Sequence, residues 1–354
     1  MNQFRRFTYI FIVIFICNYI FHILSYTFFV KKVNPKNHMV GDLARVSYYL
    51  PIVYPRKKKV IKNSGFINYP NYKNEPIEIL TIGDSFSNGG GGFYYQNIWA
   101  TKVNINILNI MQLPNTKNYI ETIALLFNSG YLEKIGVKYI LLESVQRESI
   151  RRFSYNNINF DLNTDENIEK LIKSVYDIYN PKKEDQQEIA IINNLNFNAI
   201  KYNLKFYLKG YGNNKEYYIE KLNKSLFSTD KGNEIIFHED DIKNLSFENI
   251  RNINHLNQNL NELAKQLKSK KIKLYFMPVV DKYNLYADNI ISNKYPRSIF
   301  FEELDKLPKD YNFINTKKIL AKKLKLKEKD LFLPDDSHWN IKASKIVLDS
   351  IILE

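Results

Sequence analysis

A serine hydroxyl becomes a useful nucleophile only when a base stands ready to take its proton, and this chain carries residues suited to both roles. Gly83-Asp84-Ser85-Phe86 directly follows the apolar run Ile77-Glu78-Ile79-Leu80-Thr81-Ile82, and His338 comes 253 positions after Ser85, within Asp335-Asp336-Ser337-His338-Trp339-Asn340. Together they are the parts of a nucleophilic triad: Ser85 attacks, His338 takes and returns the proton, and an acid holds the imidazole tautomer and steadies the imidazolium. Asp335 and Asp336 both stand close enough in sequence to be that acid. Taken singly, Gly-Asp-Ser is an ordinary turn and a histidine is ordinarily structural; strand context and chain order together point to acyl-group chemistry. Of the other histidines, His22 lies in an apolar N-terminal stretch, His38 follows it, and His238 and His255 have no matching motif.

The elements around these residues alternate in the manner of a parallel sheet. Ile77–Ile82 reads as a strand, Phe93–Val103 as a helix, Ile105–Met111 as a strand, Asn118–Leu132 as a helix and Val137–Glu143 as a strand. After a polar interval the pattern resumes with a helix over Asn252–Ser269, a strand over Ile272–Met277, a helix near Pro296–Leu307, a short strand near Phe313–Asn315 and a closing helix over Ile341–Leu353. Strands separated by helices of about 10–15 residues imply right-handed crossovers, and ligands of such sheets sit at the carboxyl ends of the strands, where Ser85 falls. Residues 146–250, rich in lysine and asparagine, read as a mostly helical insertion in this α/β domain.

Composition narrows the setting. With 354 residues and 45% hydrophobic content the chain can bury a sizeable core. Its 51 Lys and Arg against 37 Asp and Glu give a formal charge of +14, which favours anionic partners such as lipid headgroups or acidic glycans. No helix-turn-helix, zinc or RNA-recognition signature accompanies that charge, which sets nucleic acid aside. The one cysteine, Cys17, lies in the N-terminal stretch, leaving no disulfide and no cysteine metal site elsewhere. Phe7–Val30 holds 24 positions without a formal charge, long enough to cross a bilayer, behind Arg5 and Arg6 and without a small-residue cleavage signal. The expected organisation is an uncleaved signal anchor over 1–30, a proline-bearing linker or stalk over 31–75 with the basic run Arg56-Lys57-Lys58-Lys59, and a catalytic domain over 76–354.

At these residues the chain resembles the SGNH or GDSL hydrolases, a superfamily of serine esterases and acyltransferases. Gly83-Asp84-Ser85 is similar to its first block, and the acid-x-His segment before a C-terminal helix to its last. Asp336-Ser337-His338-Trp339-Asn340 looks more specifically like the branch that holds membrane-anchored O-acetyltransferases of bacterial exopolysaccharides, the alginate type. Leu142-Glu143-Ser144-Val145-Gln146-Arg147 and Pro278-Val279-Val280-Asp281-Lys282-Tyr283 are weaker echoes. The resemblance covers roughly residues 77–353 without the insertion. It implies a three-layer α/β/α fold around a mainly parallel sheet; the spacing common across the superfamily would make Asp335 the triad acid, whereas that of the His-Trp branch favours Asp336. It also implies acetyl transfer to a cell-envelope or secreted polysaccharide, with the acyl group supplied by a multi-span membrane acyltransferase, and neither metal nor organic cofactor. The domain would then lie outside the cytoplasm, although Lys31, Lys32, Lys36 and Arg45 after the apolar stretch outnumber Arg5 and Arg6 and argue the other way. An esterase or deacetylase acting on glycan or lipid is the second reading, and a non-catalytic glycan-binding scaffold the third.

The middle blocks depart from that pattern. Where a glycine is expected the chain has Asn109-Ile110-Met111-Gln112-Leu113-Pro114-Asn115, and where an asparagine is expected it has Glu143-Ser144. An oxyanion needs donors, and besides the Ser85 N–H the side-chain amides of Gln112 or Asn115 are candidates. Glu143 with Arg147 either shapes a substrate pocket or serves in structural ion pairing. Gly89-Gly90-Gly91-Gly92 is a possible mobile lip and lacks the lysine of a phosphate loop. His238-Glu239-Asp240-Asp241 has too few histidines for a metal site and is expected to cap a helix.

Overall fold

The computed structural model describes residues 2–28, 41–47, 49, 52, 65–88, 95–179, 190–209, 216–292 and 294–353. The strands are β1 (Phe66–Asn68), β2 (Ile79–Ile82), β3 (Ile107–Asn109), β4 (Tyr139–Val145), β5 (Tyr217–Lys221), β6 (Glu234–His238), β7 (Lys273–Val279) and β8 (Asn312–Phe313). Six of them form one sheet in the order β1-β3-β2-β4-β7-β8, every pairing parallel. All residues of β2 and β3, and six of the seven in β4, are buried, as continuous apolar runs covered on both faces should be. The protein is thus an α/β molecule on a central parallel sheet. The β4–β7 pairing runs over seven residues, from Tyr139 opposite Lys273 to Val145 opposite Val279.

The chain moves from β2 to β3 on one side and from β4 to β7 on the other, so its direction across the sheet reverses at the β2–β4 pair. In an open parallel sheet that reversal opens a crevice at the carboxyl ends of the two strands. Helix Tyr95–Val103 packs on the closing helix Ile341–Asp349, which packs on Thr316–Lys325. Helix Ile250–Lys268 packs on Tyr119–Asn128, Gln146–Phe153 and Phe300–Lys306. Where one helix was expected over Asn118–Leu132 there are two: Gly130, at φ 72°, ends the first and starts Tyr131–Ile135. Helix Thr316–Lys325 had no counterpart in the sequence reading, since its few apolar residues lie among lysines; Asn315 caps it by accepting the Lys318 N–H at 2.9 Å.

Two other expectations need correction. The boundary near residue 76 falls inside the sheet, because β1 pairs with β3 from Phe66 opposite Ile107, and within the stretch read as linker or stalk Leu43, Ala44, Tyr49 and Ile52 pack into a small core. A three-residue strand is too short to show a period, and the exposed edge of β3 supplies its partner. The insertion is also not mainly helical throughout: β5 and β6 form an antiparallel ribbon with Tyr217 opposite His238. That ribbon shares a small second core with the N-terminal segment, built from Leu43, Ala44, Ile52, Tyr217 and Ile236, with Tyr49, Phe206 and Ile219 packed against it.

The N-terminal helix spans Asn2–Phe28, and its stretch Gln3–Phe28 is long and apolar enough to cross a membrane, with a mean hydropathy of 2.1 over an 18-residue window. Near its C-terminal end it packs on helix Asn194–Lys209. The runs Gly89–Gly92 and Arg56–Lys59, and His38, lie outside the described residues.

Candidate active site

The Ser85 turn is built by what surrounds Gly83 and Asp84. Ser85 follows β2 by three residues, and the Asp84 carbonyl accepts the N–H groups of Ser87 at 3.0 Å and Asn88 at 2.8 Å, a first helical turn. Ser85 is exposed while Phe86 and Ser87 behind it are buried, which leaves Ser85 at the surface. A Cβ on Gly83 would sit 2.2 Å from Glu143 Oε2, which is why glycine stands there. The Asp84 carboxylate accepts the Val145 N–H at 2.8 Å and pairs with Arg152, fastening the turn to the end of β4. Burial alone would raise the Asp84 pKa, but the Arg152 charge and the Val145 N–H outweigh it and hold it below the ordinary value.

His338 reaches Ser85 from a second loop. Its Nε2 lies 2.8 Å from Ser85 Oγ, and its Nδ1 lies 2.7 Å from Asp336 Oδ1, which also accepts the His338 backbone N–H at 3.0 Å. Asp336 is therefore the acid in triad geometry. Asp335 faces elsewhere: it is fully buried, its Oδ2 accepts the Gly41 N–H at 3.0 Å and its carbonyl accepts the Ala44 N–H at 3.1 Å. The Phe86 ring stands beside the imidazole at 4.6 Å and meets Trp339 edge-on at 5.3 Å, which limits the tilt of His338.

Two residues at the site had no role in the sequence reading. Asp42, from the segment read as linker, accepts the Ser337 N–H at 2.8 Å and the Ser337 hydroxyl, and its Oδ2 lies 3.7 Å from His338 Nδ1. Lys282, 1% exposed, donates from Nζ to the carbonyls of Leu333 at 2.8 Å, Pro334 at 2.9 Å and Asp336 at 3.0 Å. Burial pulls its pKa down to about 8 against the nearby charges of Asp335, Asp336 and Asp42. Lys282 lay within a motif quoted for its resemblance, but no spacing rule links it to a loop 51 residues later. Asp42 left no sequence signal, because only tertiary packing brings it to the histidine.

The remaining expected residues lie as follows. Glu143 is fully buried under the Ser85 turn, where its Oε2 accepts the N–H of Asp84 at 3.1 Å and the hydroxyl of Ser87 at 2.8 Å. Burial and the neighbouring Asp84 charge push its pKa well above the usual carboxylate range, which favours its protonated form. Arg147 pairs with Asp241 at 3.0 Å and Asp281 at 3.1 Å, tying the end of β4 to the end of β7 and to the insertion. Within the acidic patch, Asp241 thus meets Arg147, while His238 Nδ1 accepts the Asp240 N–H at 3.1 Å and Glu239 makes no side-chain cap. The Gln112 amide donates to the Thr116 carbonyl at 2.8 Å, and exposed Asn115 sits in a turn at φ 63°. Asn109, at the carboxyl end of β3, is buried and donates to Asn88 Oδ1 at 2.7 Å, while Asn88 in turn donates to the Gly83 carbonyl.

Asp42, Asp336 and His338 hold ligand-type atoms within 4.8 Å of one another, but both imidazole nitrogens are already engaged, one with Ser85 and one with Asp336. The arrangement suits a base with its counter-charges: a neutral His338 can accept the Ser85 proton at Nε2 while Asp336 and Asp42 balance the charge that would form on the ring. No protein-family model matches the chain, and no curated protein or solved structure matches it.

Burial works against a charged His338 ring, yet the Asp336 hydrogen bond and the charges of Asp336 and Asp42 outweigh it and raise the pKa above the ordinary 6.5. The ring acts as a base only when neutral, so reaction of Ser85 with an activated aryl ester should be slow in acid and rise through a midpoint above 6.5. Asp42→Asn removes one of the charges that raise the ring, and its midpoint should fall below that of the parent; an unchanged pH profile would count against the Asp42 interaction. Lys282→Met strands three buried carbonyls, and should lower stability by about 2–4 kcal/mol in denaturant unfolding and depress ester reactivity.

Proposed function

We propose that the protein is a membrane-anchored serine enzyme that moves an acyl group, most simply acetyl, through an ester on Ser85. The observation that carries this reading is the hydrogen-bond chain from Ser85 to His338 to Asp336, 2.8 and 2.7 Å long, at the carboxyl end of β2. His338 removes the Ser85 proton as Oγ attacks the acyl carbonyl, then returns it to the departing donor. In the second half it takes a proton from the acceptor hydroxyl, which attacks the Ser85 ester, and it returns that proton to Ser85 Oγ as the ester bond breaks. The Ser85 N–H is one candidate oxyanion donor, whereas Gln112 is engaged with its own loop.

The acceptor class comes from the resemblance to alginate-type O-acetyltransferases: a cell-envelope or secreted polysaccharide, with the acyl group delivered by a multi-span membrane partner. The apolar helix Gln3–Phe28 supports the membrane setting, and we place the catalytic domain outside the cytoplasm, where such a polysaccharide is met. The exposure of Ser85 suits a bulky acceptor. Offered an acetyl ester together with envelope oligosaccharide, the full chain in nanodiscs should yield acetylated glycan by mass spectrometry. Release of free acetate with no glycan product would replace transfer by hydrolysis.

A further inference from the structure

We infer that helix Asn194–Lys209 rests on a lipid bilayer, its outward stripe sunk among the acyl chains beside the N-terminal span. Phe197, Leu204 and Leu208 stand seven and four residues apart on one face and are 48%, 56% and 73% exposed. Tyr207, 88% exposed, flanks them, and Ile191 and Ile192 lead into the same helix, 47% and 54% exposed. The opposite face is the packed one: Asn196 and Ala199 are fully buried and Asn203 nearly so. Water gains nothing from such a stripe, which costs about 25 cal/mol for each Å² of apolar surface left exposed. Exposed Lys201 and Lys209 accompany the stripe, the pattern of an interfacial helix whose ammonium groups reach lipid phosphates.

The occupant is set by continuity with the span. The Asn196 side-chain amide lies 2.8 Å from His22 Nδ1, and the rings of Phe21 and Phe197 are 4.8 Å apart. His22 and Ser25 are buried by this contact, whereas only 6% of the apolar window of the N-terminal helix is buried in the protein. A hydrocarbon core about 30 Å thick takes about 20 helical residues, which, counted from Phe7 after Arg5 and Arg6, end near Tyr26. The second helix is therefore fastened within the last turns of the span, at the level where hydrocarbon gives way to headgroups. Its inner side joins it to the rest: Phe206 packs on Tyr49 at 4.6 Å, in the small core that holds Leu43 next to Asp42. The bilayer would thus seat the segment that reaches the histidine.

This inference rests on the membrane anchoring proposed above, and one experiment separates the two. In a Cys17→Ser background, single cysteines replacing Ile12, Leu204 or Leu208 in the full chain are labelled with an environment-sensitive fluorophore and reconstituted in phosphatidylcholine–phosphatidylglycerol vesicles. Labels at all three positions should lose emission to nitroxide-bearing lipids and keep it in aqueous iodide. Quenching of the 204 and 208 labels by iodide alone, or protection from both quenchers by a covering protein, overturns the inference while a lipid-quenched Ile12 label leaves the span intact. An Ile12 label that lipids do not quench overturns the anchor and the inference together.

Discussion

The site depends on one constraint: two loops far apart in sequence are each fastened to one of two adjacent, rigidly paired strands. Lys282, just past β7, is a buried ammonium, and a buried charge persists only where the surroundings replace its water. Here three carbonyls of the 333–336 loop do so, with Asp335, Asp336 and Asp42 as counter-charge. The loop cannot move without stranding that charge. On the other strand, Asp84 holds the Ser85 turn to Val145 at the end of β4. Because β4 and β7 pair along seven residues, the 2.8 Å between Ser85 Oγ and His338 Nε2 is a property of the sheet more than of the side chains.

Around that frame, the chain's outlying parts converge on the same point. The segment after the apolar helix gives Asp42 to Ser337 and takes up Asp335, so the second acid of the Asp-Asp pair works as a strut. The insertion gives Asp241 to Arg147, which also holds Asp281 beside Lys282. Glu143 is a buried carboxyl under the Ser85 turn and forces glycine at position 83. Hydrogen bonds from Ser87 to Glu143, from Asn88 to Gly83 and from Asn109 to Asn88 build a floor beneath Ser85.

Much of this was legible in sequence where the signal is local. A buried central strand shows itself as an uninterrupted apolar run, and a turn just past its carboxyl end places a serine without knowledge of the rest. His338 was legible for the same reason, its acid lying two residues away. Asp336 was already favoured over Asp335 by the spacing of the branch it resembles; both are buried, and the backbone path turns Asp336 to the ring and Asp335 toward Gly41. Elements that borrow their stability from elsewhere were not legible: β1 has three residues and leans on β3, the β5–β6 ribbon is stabilised by Leu43 and Ala44 from far upstream, and Gly130 splits a helix whose apolar pattern continues across it. Asp42 and Lys282 belong to this class, since each acts through a contact that no spacing encodes.

The central claim is that Ser85 is an activated nucleophile, and its most direct measurement is the intact mass of the full-length protein after exposure to a fluorophosphonate. The account predicts a single adduct, mapped to Ser85 and absent from Ser85→Ala, with fluoride displaced as Oγ bonds phosphorus. An unmodified parent chain, under conditions where a control serine esterase is fully labelled, or an adduct that survives in Ser85→Ala, would contradict it.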